Sequence, residues 1–152
     1  MSHEMVLSTI DDYARSAALA AEANYDGVEI MGSEGYLINQ FIASRTNKRS
    51  DQWGGSYENR IKLALEVVRK CRESVNPDFI IMFRLSMLDL VEGGSTWPEV
   101  VQLAQELEGA GVDIINTGAQ GGQNPSKSLD ITPEPRARRN GELFLLLRCC
   151  AV

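Results

Sequence analysis

Three short apolar runs, Gly27 to Met31 (GVEIM), Phe79 to Leu85 (FIIMFRL) and Val112 to Thr117 (VDIINT), interrupt a chain otherwise written in helical periods. Each is too short for a helix and is bounded by turn residues. Near-continuous apolar character then reads as a parallel strand covered on both faces. Between the runs lie amphipathic stripes. Ser2 fits the N-cap of a helix from His3 to about Ala23, with Val6, Ile10, Tyr13, Ala17 and Ala20 or Ala21 on a face meant for a sheet. Ser56 caps a second helix, whose buried stripe is Ile61, Ala64, Leu65, Val68, Cys71 and Val75 and whose stop is Asn76-Pro77. Thr96-Trp97-Pro98-Glu99 is a capping box with proline in the first turn. It opens a third helix to about Glu108, and Gly109 or Gly111 can supply the left-handed end. The order is α, β, loop, α, β, α, β. Alternation of this kind demands an α/β fold with a parallel sheet and right-handed crossovers. Doubly wound sheets and (β/α)8 barrels are both built so, and three strands complete neither. The chain is therefore expected to be the middle of something larger, with open sheet edges through which it could self-associate.

Composition limits the function classes. A chain of 152 residues, 43% hydrophobic and 24% charged, has the make-up of a soluble globular protein. A net charge of −6 argues against non-specific nucleic-acid binding, which needs a basic face. No apolar run approaches the ~20 residues of a membrane helix, and no signal-peptide pattern precedes the first helix, so a cytoplasmic location without membrane contact is expected. Cys71, Cys149 and Cys150 form neither a metal-ligand spacing nor a disulfide framework. The charge is uneven: 10 Lys/Arg against 18 Asp/Glu give −8 through Gly118, whereas 5 against 3 give +2 from Ala119 onward. Two parts are expected, residues 1–118 as the α/β unit and 119–152 as an irregular tail. The tail holds Pro125, Pro133, Pro135 and the basic Arg136, Arg138 and Arg139, and Gln120 to Asn140 is expected to be largely disordered. The run Leu143 to Leu147 reads as an edge strand or a sticky end.

The stretch Gly32 to Arg60 (GSEGYLINQFIASRTNKRSDQWGGSYENR) reads as an elaborate loop after the first strand. Loops at the carboxyl ends of parallel strands are where α/β folds place their chemistry. Tyr36 there can act as a proton donor, or simply pack as an amphipathic loop residue. Arg84 is a guanidinium in an otherwise apolar strand and must find partners that offset its desolvation. Glu29 on the neighbouring strand, or the oxygens of a cofactor, would both serve. Arg49 and Asp51 with Gly54-Gly55 read as fixing the loop's shape, and His3 as a surface residue.

In this order, GVEI, GYL-N-F and N-R-D–GG-S-ENR resemble the old yellow enzyme family of FMN-dependent ene-reductases. MGSEGYLINQF, RTN, RSDQWGG and RLSMLDLVEGG are similar to its NADPH-dependent 2,4-dienoyl-CoA reductase branch. The resemblance covers most of the chain through Gly118. It implies a partial TIM barrel, about strands four to six, holding FMN at the carboxyl end and reducing the C=C bond of an enoyl- or dienoyl-CoA. On the matching motifs Tyr36 is the implied proton donor, Arg84 the implied contact to the flavin N1 and O2 region, and Arg45 a residue lining the thioester's path. Met31 and Glu34 stand where many old yellow enzymes have His and Asn, a departure that favours the acyl-CoA branch. The enzymes of that branch also use FAD, an iron–sulfur cluster and NADPH, in regions expected to lie outside this chain. They carry a histidine shortly after INTG, where this sequence has Ala119-Gln120-Gly121-Gly122. The alternative expectation is a catalytically inactive partial barrel that serves only in assembly.

Overall fold

Element follows element as α1 (His3–Glu22), β1 (Gly27–Gly32), α2 (Leu37–Ile42), α3 (Tyr57–Ser74), β2 (Ile80–Asp89), α4 (Trp97–Ala110) and β3 (Ile114–Gln120). The structure is a computed structural model that describes residues 1–89 and 92–120. The strands are parallel and ordered β1-β2-β3, as the alternation of the sequence required.

The helix starts are set by local chemistry. Ser2 Oγ accepts the Met5 N–H at 3.2 Å, and the Thr96 N–H donates to Glu99 Oε2 at 2.8 Å. Gly111, at φ 108°, closes α4 in the left-handed conformation that a residue without Cβ adopts without strain. Its carbonyl then accepts two bonds from the Arg72 guanidinium, at 3.2 Å from Nε and 3.1 Å from Nη2, which ties the end of α3 to the entry of β3.

Strand register decides what faces what. Ile30, Phe83 and Ile115 stand side by side in one row, and Met31, Arg84 and Asn116 in the next. Because successive side chains alternate, the first row points into the helical layer and the second to the opposite face. Ile30, Ile81, Phe83, Leu85 and Ile115 are buried with Ile61, Val67 and Val68 of α3 and Leu103 and Leu107 of α4. Each such side chain contributes about 1.5–3 kcal/mol by leaving water.

Some expectations need correction. The α1 stripe, expected on a sheet, lies chiefly against α3 and touches β1 less, because the helix that feeds the outer strand sits beside the first crossover helix. The supposed loop after β1 contains α2, whose Ile38, Phe41 and Ile42 are buried. The second strand runs beyond Leu85 to Asp89, with a shift of register between Ser86 and Leu88. The expectations for the tail beyond Gln120, including Leu143 to Leu147, lie outside the described residues.

Candidate functional site

The face of the sheet away from the helices carries a polar cluster built from all three strands. Arg84 Nε donates to Glu29 Oε1 at 3.1 Å, and Asn116 Nδ2 donates to the same oxygen at 2.7 Å. The register produces this meeting: Asn116 is the β3 neighbour of Arg84, while Glu29 lies two rows below on β1, on the same face, and reaches up. Arg84 Nη1 donates to Glu34 Oε1 at 3.1 Å. The side chains of Arg84 and Glu29 remain 31% and 32% exposed. The Glu29 hydrogen bond, followed by its charge and the contribution of Glu34, pushes the Arg84 pKa above an already high value, so the guanidinium is permanently charged.

Glu34 reaches Arg84 because of the turn it sits in. Its φ is 61° and that of Gly35 is 73°, two successive left-handed residues that fold the chain back after β1. A non-glycine residue there carries backbone strain of order 1–3 kcal/mol, which must be held by its surroundings. The holding groups come from α2: buried Asn39 accepts the Gly35 N–H at 2.9 Å, and Gln40 Nε2 donates to the Gly35 carbonyl at 2.6 Å. Tyr36 follows as the N-cap of α2, 58% exposed as a residue at the carboxyl end of β1. Gly32, the last residue of β1, has to be glycine, since a Cβ there would stand 2.2 Å from the Phe83 ring.

The second half of the excursion, 43–56, is fixed by other residues of the motif. Asn47 is buried and its Nδ2 donates to the carbonyls of Phe41 at 2.6 Å and Trp53 at 2.7 Å. Arg49 grips Asp51 with two bonds, at 3.0 and 2.5 Å, which holds the Asp51 carboxyl below the usual carboxylate range. Gly54 lies so close to Arg49 that a Cβ would meet its carbonyl oxygen at 2.6 Å. Arg60 spans the base, donating to the carbonyls of Ile42 and Gly55 and pairing with Glu99 at 2.8 Å. The shape-fixing role expected of Arg49 and Asp51 is the one observed. His3 is exposed, yet it does more than sit on the surface: its Nδ1 accepts the indole N–H of buried Trp53 at 2.9 Å.

Arg45 stands apart from the Arg84 cluster. Its Nη1 donates to the Glu92 carbonyl at 3.2 Å and its backbone N–H to the Gly93 carbonyl at 3.0 Å, so it ties the loop after β1 to the turn after β2. Tyr36 and Arg84 are instead linked, since Glu34, two residues before Tyr36, grips the guanidinium. Sequence reasoning did not find Asn116 or the hold of α2 on the Tyr36 turn. A usable signal was a polar residue inside each of the three apolar runs, Glu29, Arg84 and Asn116, at positions that the parallel register puts on one face of the sheet.

The profile of the NADH:flavin oxidoreductase / NADH oxidase family matches residues 1–123. The chain belongs to this family. It is 44% identical over 110 residues to the NADH oxidase of Thermoanaerobacter brockii, a match covering 72% of this chain and 17% of that protein. With 12-oxophytodienoate reductase 2 of Arabidopsis thaliana it shares 41% over 103 residues, 68% of this chain and 28% of the relative. Among solved structures, a 2-naphthoyl-CoA reductase in complex with 2-naphthoyl-CoA superposes at a TM-score of 0.78 with 32% identity, covering 85% of this chain and 20% of that one. The old yellow enzyme homologue from Zymomonas mobilis superposes at 0.70 with 30% identity, covering 77% and 34%. The chain thus spans 17% to 34% of the length of these NADH:flavin oxidoreductase relatives. The fold with the parallel β1-β2-β3 arrangement superposes on part of each of these longer chains.

Proposed function

We propose that this chain supplies part of the active site of an FMN-dependent ene-reductase that draws on NAD(P)H and reduces the C=C bond of an enoyl- or 2,4-dienoyl-CoA thioester. One observation carries the reading. A permanently charged guanidinium stands in the middle of a sheet, on the face no described helix covers, directly below the turn that presents Tyr36. In a (β/α) barrel that face is the interior, and the carboxyl ends of the strands are the ligand side.

The residues fit one edge of the cofactor. Arg84 presents N–H donors in a fixed plane, suited to a ring edge that carries carbonyl oxygen and gathers negative charge on reduction. Glu29 holds that plane through Nε, and Glu34, on a turn at the surface, is the partner a ligand would displace. The flavin, when bound, supplies hydride to one carbon of an electron-poor double bond. Tyr36 supplies the proton at the neighbouring carbon, as its Oη–H bond breaks and a C–H bond forms. Arg45 would border the thioester's approach from the far side of the loop. The acyl-CoA assignment is supported by the motif resemblance, by Met31 and Glu34 in place of His and Asn, and by the CoA thioester in a solved relative. The resemblance carries FAD, an iron–sulfur cluster and NADPH as further groups of such an enzyme, held by other parts of it.

Replacing Tyr36 by Phe tests the reading in a whole barrel that carries this sequence. Flavin reduction by NADPH should be spared, while reoxidation by the enoyl thioester should slow by about 10²–10⁴-fold. Equal loss in both half-reactions would remove Tyr36 from the acid role. The second reading is a non-catalytic assembly unit, whose basis is the three-stranded parallel sheet with β1 and β3 at its edges. On either reading the 152-residue chain alone should bind FMN weakly and show no turnover, because a flavin site is assembled from many strand ends. Saturable micromolar binding, with NADPH-dependent loss of dienoyl-CoA absorbance, would overturn that expectation.

A further inference from the structure

We infer that Asn116 is a positioning residue for Arg84, acting through the shared Glu29 carboxylate as a clamp across all three strands. The inference rests on the reading of Arg84 as the flavin contact, and its geometry stands independently. Glu29 Oε1 receives two donors from two different strands, Arg84 Nε at 3.1 Å and Asn116 Nδ2 at 2.7 Å. An arginine side chain has several freely turning bonds, and a partly exposed one gains little from a single ion pair. The orientation of its guanidinium is fixed only if the partner oxygen is itself fixed. Glu29 alone would not be, since its side chain is 32% exposed on the same open face. Asn116 removes that freedom. Its amide donates the shorter of the two bonds and comes from the residue registered directly beside Arg84. The bond to Nε, not to Nη, is what matters. It leaves the outer edge of the guanidinium toward the carboxyl end, where Nη1 meets Glu34.

The clamp also separates two carboxylates by role. Glu29 is the fixed one, tied to two strands, and Glu34 the exchangeable one, 43% exposed on a two-residue left-handed turn. A ligand oxygen arriving at Arg84 would compete with Glu34 and leave Glu29 in place.

The test uses the 152-residue chain labelled with 15N, following the Arg84 Nε–H resonance assigned by its loss in Arg84→Lys. In the wild type this proton should exchange slowly with water. Asn116→Asp keeps the shape, deletes the donor and adds a charge facing Glu29, and Asn116→Ala deletes the donor without that charge. Both should speed exchange about tenfold, the factor equivalent to one modest hydrogen bond. Thermal unfolding of each variant controls for a general loss of structure. Unchanged exchange in folded Asn116→Ala would overturn the clamp. In a whole barrel that carries this sequence, excess FMN should shift the Arg84 resonance. If it does not, and the Asn116 effect persists, the flavin reading fails and the clamp stands.

Discussion

The two faces of one three-stranded sheet differ more than any two elements of the molecule. On the helical side Ile81, Phe83 and Ile115 are fully buried. On the other, one residue along each strand, Glu29, Arg84 and Asn116 form a hydrogen-bonded cluster in contact with solvent. Alternation by a single residue therefore divides the two faces: Phe83 is fully buried against the helices, and Arg84, its neighbour, stands partly exposed on the other side. Damage on one face should accordingly be read in stability and damage on the other in binding.

Phe83→Ala is the sharpest way to break this division. Removing a fully buried ring should cost about 3–5 kcal/mol in urea unfolding. A loss below about 1 kcal/mol would mean that the helical face is not the structural one.

The next effect is a pH dependence confined to the helical side. Cys71 on α3 is buried, and burial pushes its thiol up to about 11 from 9.0. The folded pKa is raised, so the contribution is fully present below the unfolded value, near pH 9, and is lost as pH rises toward 11. Unfolding free energy should fall across that window by at most about 3 kcal/mol, at ~1.4 kcal/mol per pK unit. Cys71→Ala should flatten the slope, and an unchanged slope in that variant would assign it to other groups.

Arg84→Met should produce the smallest change in stability, under about 1 kcal/mol, because partly exposed ion pairs contribute little. Its effect belongs to ligand binding, and isothermal titration of a whole barrel with FMN should register a weaker Kd. A large loss of stability with unaltered FMN affinity would make Arg84 a purely structural salt bridge.

Much of this division was legible in the sequence. Strand positions, their parallel order, the caps at Ser2, Ser56 and Thr96 and the odd placement of Arg84 follow from period, punctuation and desolvation cost, which are local. The reach of Asn116 to Glu29 is not local, because it depends on a register between strands 87 residues apart. Short α2 escaped notice because six residues with no side-chain cap carry little periodicity. The hold of His3 on Trp53 was equally hidden, since a lone exposed imidazole gives no sign of a partner 50 residues away. The motif Asn47, Arg49, Asp51, Arg60 was conspicuous as a pattern, and the structure makes it a set of braces.

Asn47 has the widest consequence among those braces. One buried amide stitches the end of α2 to Trp53, so the wall beside the carboxyl ends of the strands is already in shape before anything approaches it. Ordering a loop on arrival costs a ligand about 0.5–1.5 kcal/mol for each side chain immobilised. Here that cost falls at folding instead of at association. A molecule reaching this rim meets a preset contour, and discrimination between guests rests on fit to it, with any gating left to movements elsewhere.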